Sequence, residues 1–189
     1  MKILIATKNP HKILEIRSIL SEYNIDVVPV DVEKIEIQAE DVSEVAKIAA
    51  KYAASKIGKP IVVEDAGLFI DALKGFPGPF SAYVFKTLGN YGIIKLMRGI
   101  SNRRARFISA VAFAFPNGCV RLFIGVTEGI ISETPKGNMG FGFDPIFIPL
   151  EGDGRTYAEM NLKEKNKISH RGKAFRSLAR WITKQGDMS

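Results

Sequence analysis

Residues 104–126 constrain this chain more than any other stretch. Arg104-Ala105-Arg106-Phe107-Ile108-Ser109-Ala110-Val111-Ala112-Phe113-Ala114-Phe115 reads as a strand. Phe107, Val111, Phe113 and Phe115 fall on one face, and small or polar groups largely on the other. Asn117-Gly118 is a strong hairpin signal, and Val120-Arg121-Leu122-Phe123-Ile124 returns from it to Val126. A bend at Gly125 or Gly129 is expected to let Ile130 and Ile131 extend the ladder. The fold must therefore be built around a long antiparallel pair.

The start of the chain adds a strand, a polar loop and a helix. Met1-Lys2-Ile3-Leu4-Ile5-Ala6 is a short buried strand, broken by Thr7-Lys8-Asn9-Pro10-His11-Lys12. Ile13, Leu14, Ile16, Ile19 and Leu20 then recur at helical spacing, with Glu15 and Arg17 expected to turn outward. Asn9 suits a helix cap and Pro10 the first helical position. Free amides at this helix start, with Thr7, Lys8 and Lys12 beside them, would make a phosphate site. The glycine spacing of a P-loop or dinucleotide fingerprint is absent, and an ordinary capped helix is the plainer reading. Further on, Ser43 is the expected cap of a helix carrying Val45, Ile48, Ala49, Tyr52, Ala53 and Ile57 inward, ended by Gly58 and Pro60. Two short helices at 80–88 and 90–97 part near Gly89. An amphipathic helix from Ser169 to about Lys184 turns Ala174, Phe175, Leu178, Ala179, Trp181 and Ile182 inward.

Ile61-Val62-Val63 makes a strand expected to end in Glu64-Asp65-Ala66-Gly67-Leu68. Two carboxylates at a strand's end commonly mark a site in an open α/β sheet. Neighbours in an extended chain point to opposite faces, so Asp65, at the exit, is the candidate for metal or base work. Glu64 is then left with a structural hydrogen bond. Glu36, in the alternating stretch Ile35-Glu36-Ile37-Gln38, is a candidate second acid. Such hard oxygen ligands suit Mg²⁺ shared with substrate phosphates, although acids near loops are often merely solvated.

Gly140-Phe141-Gly142-Phe143-Asp144-Pro145 alternates glycine with aromatic rings and ends on an acid. Lys163, Lys165, Lys167, His170, Arg171 and Lys173 follow. An aromatic platform beside clustered donors suits a flat, anionic ligand such as a nucleotide. Alone, the segment is equally a turn followed by a solvated basic helix.

At 189 residues and 46% hydrophobic content, one α/β domain is the natural count. No apolar run approaches the roughly 18 residues needed to cross a bilayer, and the start does not read as a signal peptide. A lone Cys119 precludes an intrachain disulfide, fits a reducing cytoplasm and reads as structural. One Cys and two His make zinc a poor fit. The excess of 27 Lys plus Arg over 20 Asp plus Glu invites a nucleic-acid reading. The cations are dispersed, however, with local clusters at Arg103-Arg104-Arg106 and 163–180, and the same field would steer a triphosphate.

Taken in order, these segments resemble the inosine triphosphate pyrophosphatase family (dITP/XTP pyrophosphatases), hydrolases of non-standard purine nucleoside triphosphates. The resemblance spans nearly the whole chain. It rests on Thr7-Lys8-Asn9-Pro10-His11-Lys12-Ile13-Leu14-Glu15, Glu64-Asp65-Ala66-Gly67-Leu68 and Phe76-Pro77-Gly78-Pro79-Phe80-Ser81-Ala82. It continues in the Gly140 motif, Ala158-Glu159-Met160, Lys165 and Ser169-His170-Arg171-Gly172-Lys173-Ala174. Two positions depart from the pattern: Ala66 stands where Ser or Thr is usual, and Phe143 where Tyr is common. The resemblance implies one two-lobed α/β domain over 1–189, around a long mixed sheet flanked by helices, with a nucleotide cleft between the lobes. It implies Mg²⁺-dependent cleavage between the α and β phosphates, a cytoplasmic homodimer, and no stable nucleic-acid or membrane partner. It also implies Asp65 as base and metal ligand and Glu36 as second metal ligand. Substrate contacts would come from Thr7, Lys8, Asn9, Pro10, His11, Lys12, Ala66, Phe141, Gly142, Phe143, Asp144, Lys165, His170 and Arg171. A further phosphate lysine is either Lys47 or Lys51, with spacing favouring Lys51. The purine is expected to stack on Phe143, with Lys165 or Arg171 facing its 6-keto oxygen. Three other readings stand beside this one: a related pyrophosphatase of modified pyrimidine nucleotides, with a different opening motif, a basic nucleic-acid-binding module without catalysis, and a metal-independent carrier of nucleotides.

Overall fold

In a computed structural model of the protein, residues 1–32, 35, 37 and 39–186 are described. Glu36, and with it the expected second metal ligand, lies outside them. The strands are β1 (Lys2–Ala6), β2 (Asp26–Val30), β3 (Ile61–Ile70), β4 (Pro77–Gly78), β5 (Arg104–Ala114), β6 (Val120–Ile131) and β7 (Phe147–Pro149). The helices are α1 (Pro10–Ser21), α2 (Val42–Ile57), α3 (Ser81–Thr87), α4 (Gly89–Leu96), α5 (Leu162–Ile168) and α6 (His170–Gly186). The strands form one seven-stranded mixed sheet in the order β2-β1-β3-β5-β6-β7, with β4 on β3. β1 pairs parallel with β2 and β3, and the remaining ladders are antiparallel.

The hairpin predicted from residues 104–126 is the spine of this sheet. β5 and β6 stay in register from Arg104↔Ile130 to Ala114↔Val120. Neither glycine breaks β6, contrary to the bend expected there. Each instead admits a close neighbour. A Cβ on Gly125 would lie 2.0 Å from the His170 carbonyl oxygen, and one on Gly129 would lie 2.4 Å from the Phe147 ring. Gly125 therefore lets the start of α6 rest directly on the sheet, which is what aims His170 and Arg171.

Both faces of the sheet are covered. On one face, α1 and α6 bury Ile16, Ile19, Leu20, Phe175 and Leu178 against Ile3, Ile5, Val62 and Val111. On the other, the small side chains of β5 receive α2, whose buried face is Val42, Ala46, Ala49, Ala50, Ala53 and Ala54. The expected inward face of α2 was one step out of phase, since Ile48 is 38% exposed while alanines face alanines. Packing two small-residue surfaces brings helix and sheet close, and that choice overrode side-chain size. The cap is Asp41, which accepts from the Ser43 amide, rather than Ser43; Gly58 ends the helix in the left-handed conformation as expected. A third core, with Leu68, Ile70, Phe107, Phe143, Phe147 and Tyr157, fills the far end of the long strands and makes the second lobe.

β3 does not stop at its acids. It runs on through Glu64, Asp65 and Gly67 to Ile70, paired with β5 along its length. On its other side, β1 meets it at Val62, and β4 meets it at Leu68 and Phe69. Between these contacts, at Asp65 and Ala66, that side carries no strand among the described residues. The opening in the sheet, rather than a strand's end, creates the site.

Substituting Gly125→Ala should destabilise the protein by about 1–3 kcal/mol, because the new methyl group meets backbone rather than a movable side chain. Ser177→Ala on the exposed side of α6 should stay within about 0.5 kcal/mol of the parent. Chemical denaturation midpoints check both.

Candidate active site

A cavity of about 900 Å³ opens where β3 is uncovered. Its wall takes Thr7, Lys8, Asn9, His11 and Lys12 from the β1–α1 loop and the start of α1, and Asp65 and Ala66 from β3. Pro79, Ser81, Ala82 and Phe85 come from the segment entering α3, and Phe107 from β5. Phe141, Gly142, Phe143 and Asp144 come from the glycine-aromatic loop, and His170 and Arg171 from the start of α6. Residues that the sequence placed far apart thus share one wall. Val30, Val32, Phe85 and Phe107 also line it, and no charge or family motif had singled them out. Lys47 and Lys51 are exposed on α2 and lie outside this wall, as do Pro10 and Lys165.

The helix start is arranged differently from the expectation. Asn9 caps α1 as predicted, but its side-chain oxygen accepts from the amides of His11 (3.0 Å) and Lys12 (3.3 Å). Those amides are occupied rather than free. Anion binding at this end therefore rests more on side chains. Lys8 sits exposed at the mouth, 2.8 Å from Asp31, and Lys12 reaches Glu64 Oε2 at 2.7 Å.

The expectation for α1 is also reversed at two neighbouring positions. Glu15 is 3% exposed, whereas Leu14 is 58% exposed. Glu15 turns inward because buried cations await it. Its Oε1 accepts from Lys165 Nζ at 2.7 Å and its Oε2 from Arg171 Nη1 at 2.6 Å. Arg171 also donates through Nε to Glu64 Oε1 at 3.1 Å, which Ser109 Oγ donates to at 2.8 Å. Lys165 donates in turn to Asp144, whose Oδ2 accepts the Phe141 amide at 2.8 Å. Lys12, Glu64, Arg171, Glu15, Lys165 and Asp144 thus form one chain of alternating sign. The basic run after residue 162 is split by it: Lys163 and Lys167 face water, and Lys165, His170 and Arg171 are buried.

Burial alone would raise the Glu64 carboxyl, but the charges of Arg171 and Lys12 and hydrogen bonds from Lys12 and Ser109 hold it well below the carboxylate range. Glu15 is lowered in the same way, burial being outweighed by Arg171 and Lys165. Asp144 is raised, because burial and the nearby Glu15 exceed what Lys165 returns. Burial, then the charges of Arg171 and Lys165, push the His170 imidazole far below its usual value, so it is neutral at pH 7. Its ring stacks on Phe107 (centroids 4.6 Å apart, planes at 9°), and its buried Nδ1 has no hydrogen-bond partner among the described residues.

The two loop aromatics differ. Phe143 is 3% exposed and packs edge-on against Phe85 at 5.4 Å, which leaves it little surface for a ligand. Phe141 is half-buried, with His11 stacked on it at 5.2 Å and Lys165 Nζ 5.0 Å from its centroid. Phe141 offers the accessible ring.

Among the described residues no three ligating side chains converge on a caged metal site. Asp65 stands in the cavity wall, half-buried. One carboxylate, joined by phosphate oxygens of a ligand and by any second acid, is the donor set that Mg²⁺ takes. Two members of the Arg103-Arg104-Arg106 cluster are used structurally, and Arg104 is exposed. Arg103 donates to the carbonyls of Ile131, Ser132 and Met97, and Arg106 pairs with Asp71.

Comparison with known proteins finds relatives along nearly the whole chain. The family model described as the Ham1 family matches residues 3–181. A dITP/XTP pyrophosphatase of Hyperthermus butylicus is 50% identical over 184 residues, covering 97% of this chain and 96% of that protein. One of Methanopyrus kandleri is 51% identical over 181 residues, covering 96% of each. The structure of a HAM1 protein from Coxiella burnetii superposes with a TM-score of 0.86 at 33% identity, covering 97% of this chain and 99% of that one.

Removing one member of a buried charge chain strands its partners. Glu15→Gln should therefore cost about 3–5 kcal/mol of stability by denaturation at pH 7. The pH dependence has two windows. His170, lowered when folded, contributes stability that is present above its unfolded value near 6.5 and is lost as pH falls below it. Between pH 6.5 and 5.5 the loss should reach about 1 kcal/mol and should be absent in His170→Phe. Glu15 and Glu64 lose theirs only below their unfolded value near 4.5, where the raised Asp144 acts in the opposite sense.

Proposed function

This chain belongs to the Ham1 family, and we propose that it hydrolyses non-standard purine nucleoside triphosphates, namely ITP, dITP and XTP, to the monophosphate and pyrophosphate. The observation that carries this reading is the separation of charge along the cavity. At the end formed by Phe141, His170 and Arg171, the two buried cations Lys165 and Arg171 are paired with three buried carboxylates, Glu15, Glu64 and Asp144, half-buried Lys12 reaches in to Glu64 from the other end, and the imidazole is neutral. Such an end suits an uncharged heterocycle rather than a phosphate. At the other end, Lys8, Lys12 and Thr7 gather beside Asp65, where a triphosphate with about four negative charges finds cations.

In this reading the purine lies on Phe141 rather than Phe143. The ion pairs of Arg171 use three of its five N–H groups, leaving donors for a 6-keto oxygen. His170 Nδ1, buried and unpartnered, offers a second polar contact at that edge. Lys165 does not reach the base directly but, through Glu15 and Asp144, fixes Arg171 and the loop that carries Phe141. Adenine presents a 6-amino donor to the same donors and is rejected. Guanine keeps the 6-keto group, so its exclusion must act at the 2-amino edge.

Asp65 accepts the proton of the water that attacks the α-phosphorus. The bond from that phosphorus to the α–β bridging oxygen breaks, and pyrophosphate departs. Lys12, held by Glu64, faces the negative charge that gathers on the leaving group. Mg²⁺ would be held by Asp65 and, as the family resemblance implies, by Glu36, and would supply neutralisation of the phosphate charge. The active species in this reading is a cytoplasmic homodimer.

Pyrophosphate release from ITP, XTP, dITP, ATP and GTP, with and without Mg²⁺, tests the assignment. ITP should exceed ATP in kcat/KM by about 10⁴-fold, as expected where a site is built to hydrogen-bond a carbonyl; equal values would refute it. Asp65→Asn should lower kcat by about 10²–10⁴-fold with nucleotide binding retained. Phe141→Ala should weaken inosine nucleotides by about 1–3 kcal/mol with little loss of fold, whereas Phe143→Ala should lower stability by about 3–5 kcal/mol.

A further inference from the structure

Three groups lie against the Phe141 ring. Lys165 Nζ and Arg171 Cζ, 5.0 Å and 5.5 Å from its centroid, are locked in buried ion pairs. The third is His11, whose imidazole lies nearly parallel to the ring, at 15° with centroids 5.2 Å apart. His11 is exposed, and its backbone is fixed by the Asn9 cap, so only its side chain is at liberty to move.

This geometry leaves no room for a base between the two rings. A base between parallel rings needs roughly 3.5 Å on each side, so a purine sandwiched between His11 and Phe141 would require about 7 Å. The imidazole lines the cavity, and among the described residues no hydrogen bond or ion pair holds it there beside the stack on Phe141. We infer that His11 is a placeholder: it covers the base-stacking face of Phe141 in the free enzyme, and the purine of the incoming nucleotide displaces it. Net stacking energy is then the difference between the purine–Phe141 contact and the His11–Phe141 contact it replaces. A bicyclic purine, larger than imidazole, gains from the exchange. The displaced side chain, on the first turn of α1, stays close to Lys8 and Lys12 at the phosphate end.

The inference rests on Phe141 being the stacking face, as proposed above, and the two can fail separately. The experiment measures binding of IMP and of inorganic tripolyphosphate by calorimetry to the full-length protein and to His11→Ala, His11→Phe and Phe141→Ala. Tripolyphosphate, which has no base, reports any direct effect of His11 on phosphate. His11→Ala should bind IMP about two- to tenfold more tightly relative to tripolyphosphate, the loss of one competing aromatic pair. His11→Phe, which restores a ring, should return that ratio to the parent value or below. If His11→Ala leaves the ratio unchanged or lowers it while Phe141→Ala weakens IMP, the stacking face stands and the placeholder is overturned. If Phe141→Ala leaves IMP binding unaltered, the stacking face is wrong and the inference falls with it. Since His11 is exposed, His11→Ala should lose no more than about 1.5 kcal/mol of stability, the cost of that one aromatic pair, and His11→Phe should recover it.

Discussion

The chain of alternating charge from Lys12 to Asp144 is the interaction on which the rest of the structure depends. It joins α1, β3, β5, α5, α6 and the glycine-aromatic loop, whose hydrophobic contacts are divided among separate cores. Stripping water from six ionised groups costs several kcal/mol each, and only near-complete pairing offsets it. A hydrophobic plug of similar volume would hold these elements as firmly. The ionic solution adds donors at fixed positions beside a cavity, already desolvated and needing no reorganisation when a ligand arrives.

Backbone architecture decides where that chain can sit. β3 is a long strand whose partners on one side, β1 and β4, leave a gap at Asp65 and Ala66. Alternation along β3 then divides the labour of two adjacent acids: Glu64 turns into the charge chain and Asp65 into the cavity wall. On the far side, Gly125 allows the first turn of α6 to touch β6, so that His170 and Arg171 enter the same space from above the sheet. Ser81 closes the rim by accepting the Leu68 amide and donating to the Gly78 carbonyl.

Much of this was legible in the sequence, and the failures share a cause. The hairpin, the Asn9 cap, the Gly58 stop and the inward face of α6 are local features with local signals, and the structure has them. Asp65, Phe141, His170, Arg171 and the opening loop do meet in one cavity. What went astray depended on long-range partners. Glu15 reads as a surface acid until Lys165 and Arg171, 150 and 156 residues away, demand a counter-charge. The face of α2 was misjudged because the alanines of β5 select small side chains. The asymmetry between Phe141 and Phe143 follows from which ring the second lobe absorbs.

The central claim is that buried carboxylates hold the cations at one end of the cavity and fit it for a neutral base, whereas the accessible Lys8 and Lys12 at the other end meet phosphate. A crystal structure of Asp65→Asn with ITP bound tests it most directly. The account predicts the hypoxanthine against Phe141 with its 6-keto oxygen facing Arg171 and His170, the buried ion pairs intact, and the phosphate chain beside Lys8 and Lys12. Phosphates seated on Arg171, with Glu15 or Glu64 displaced from their partners, would contradict it.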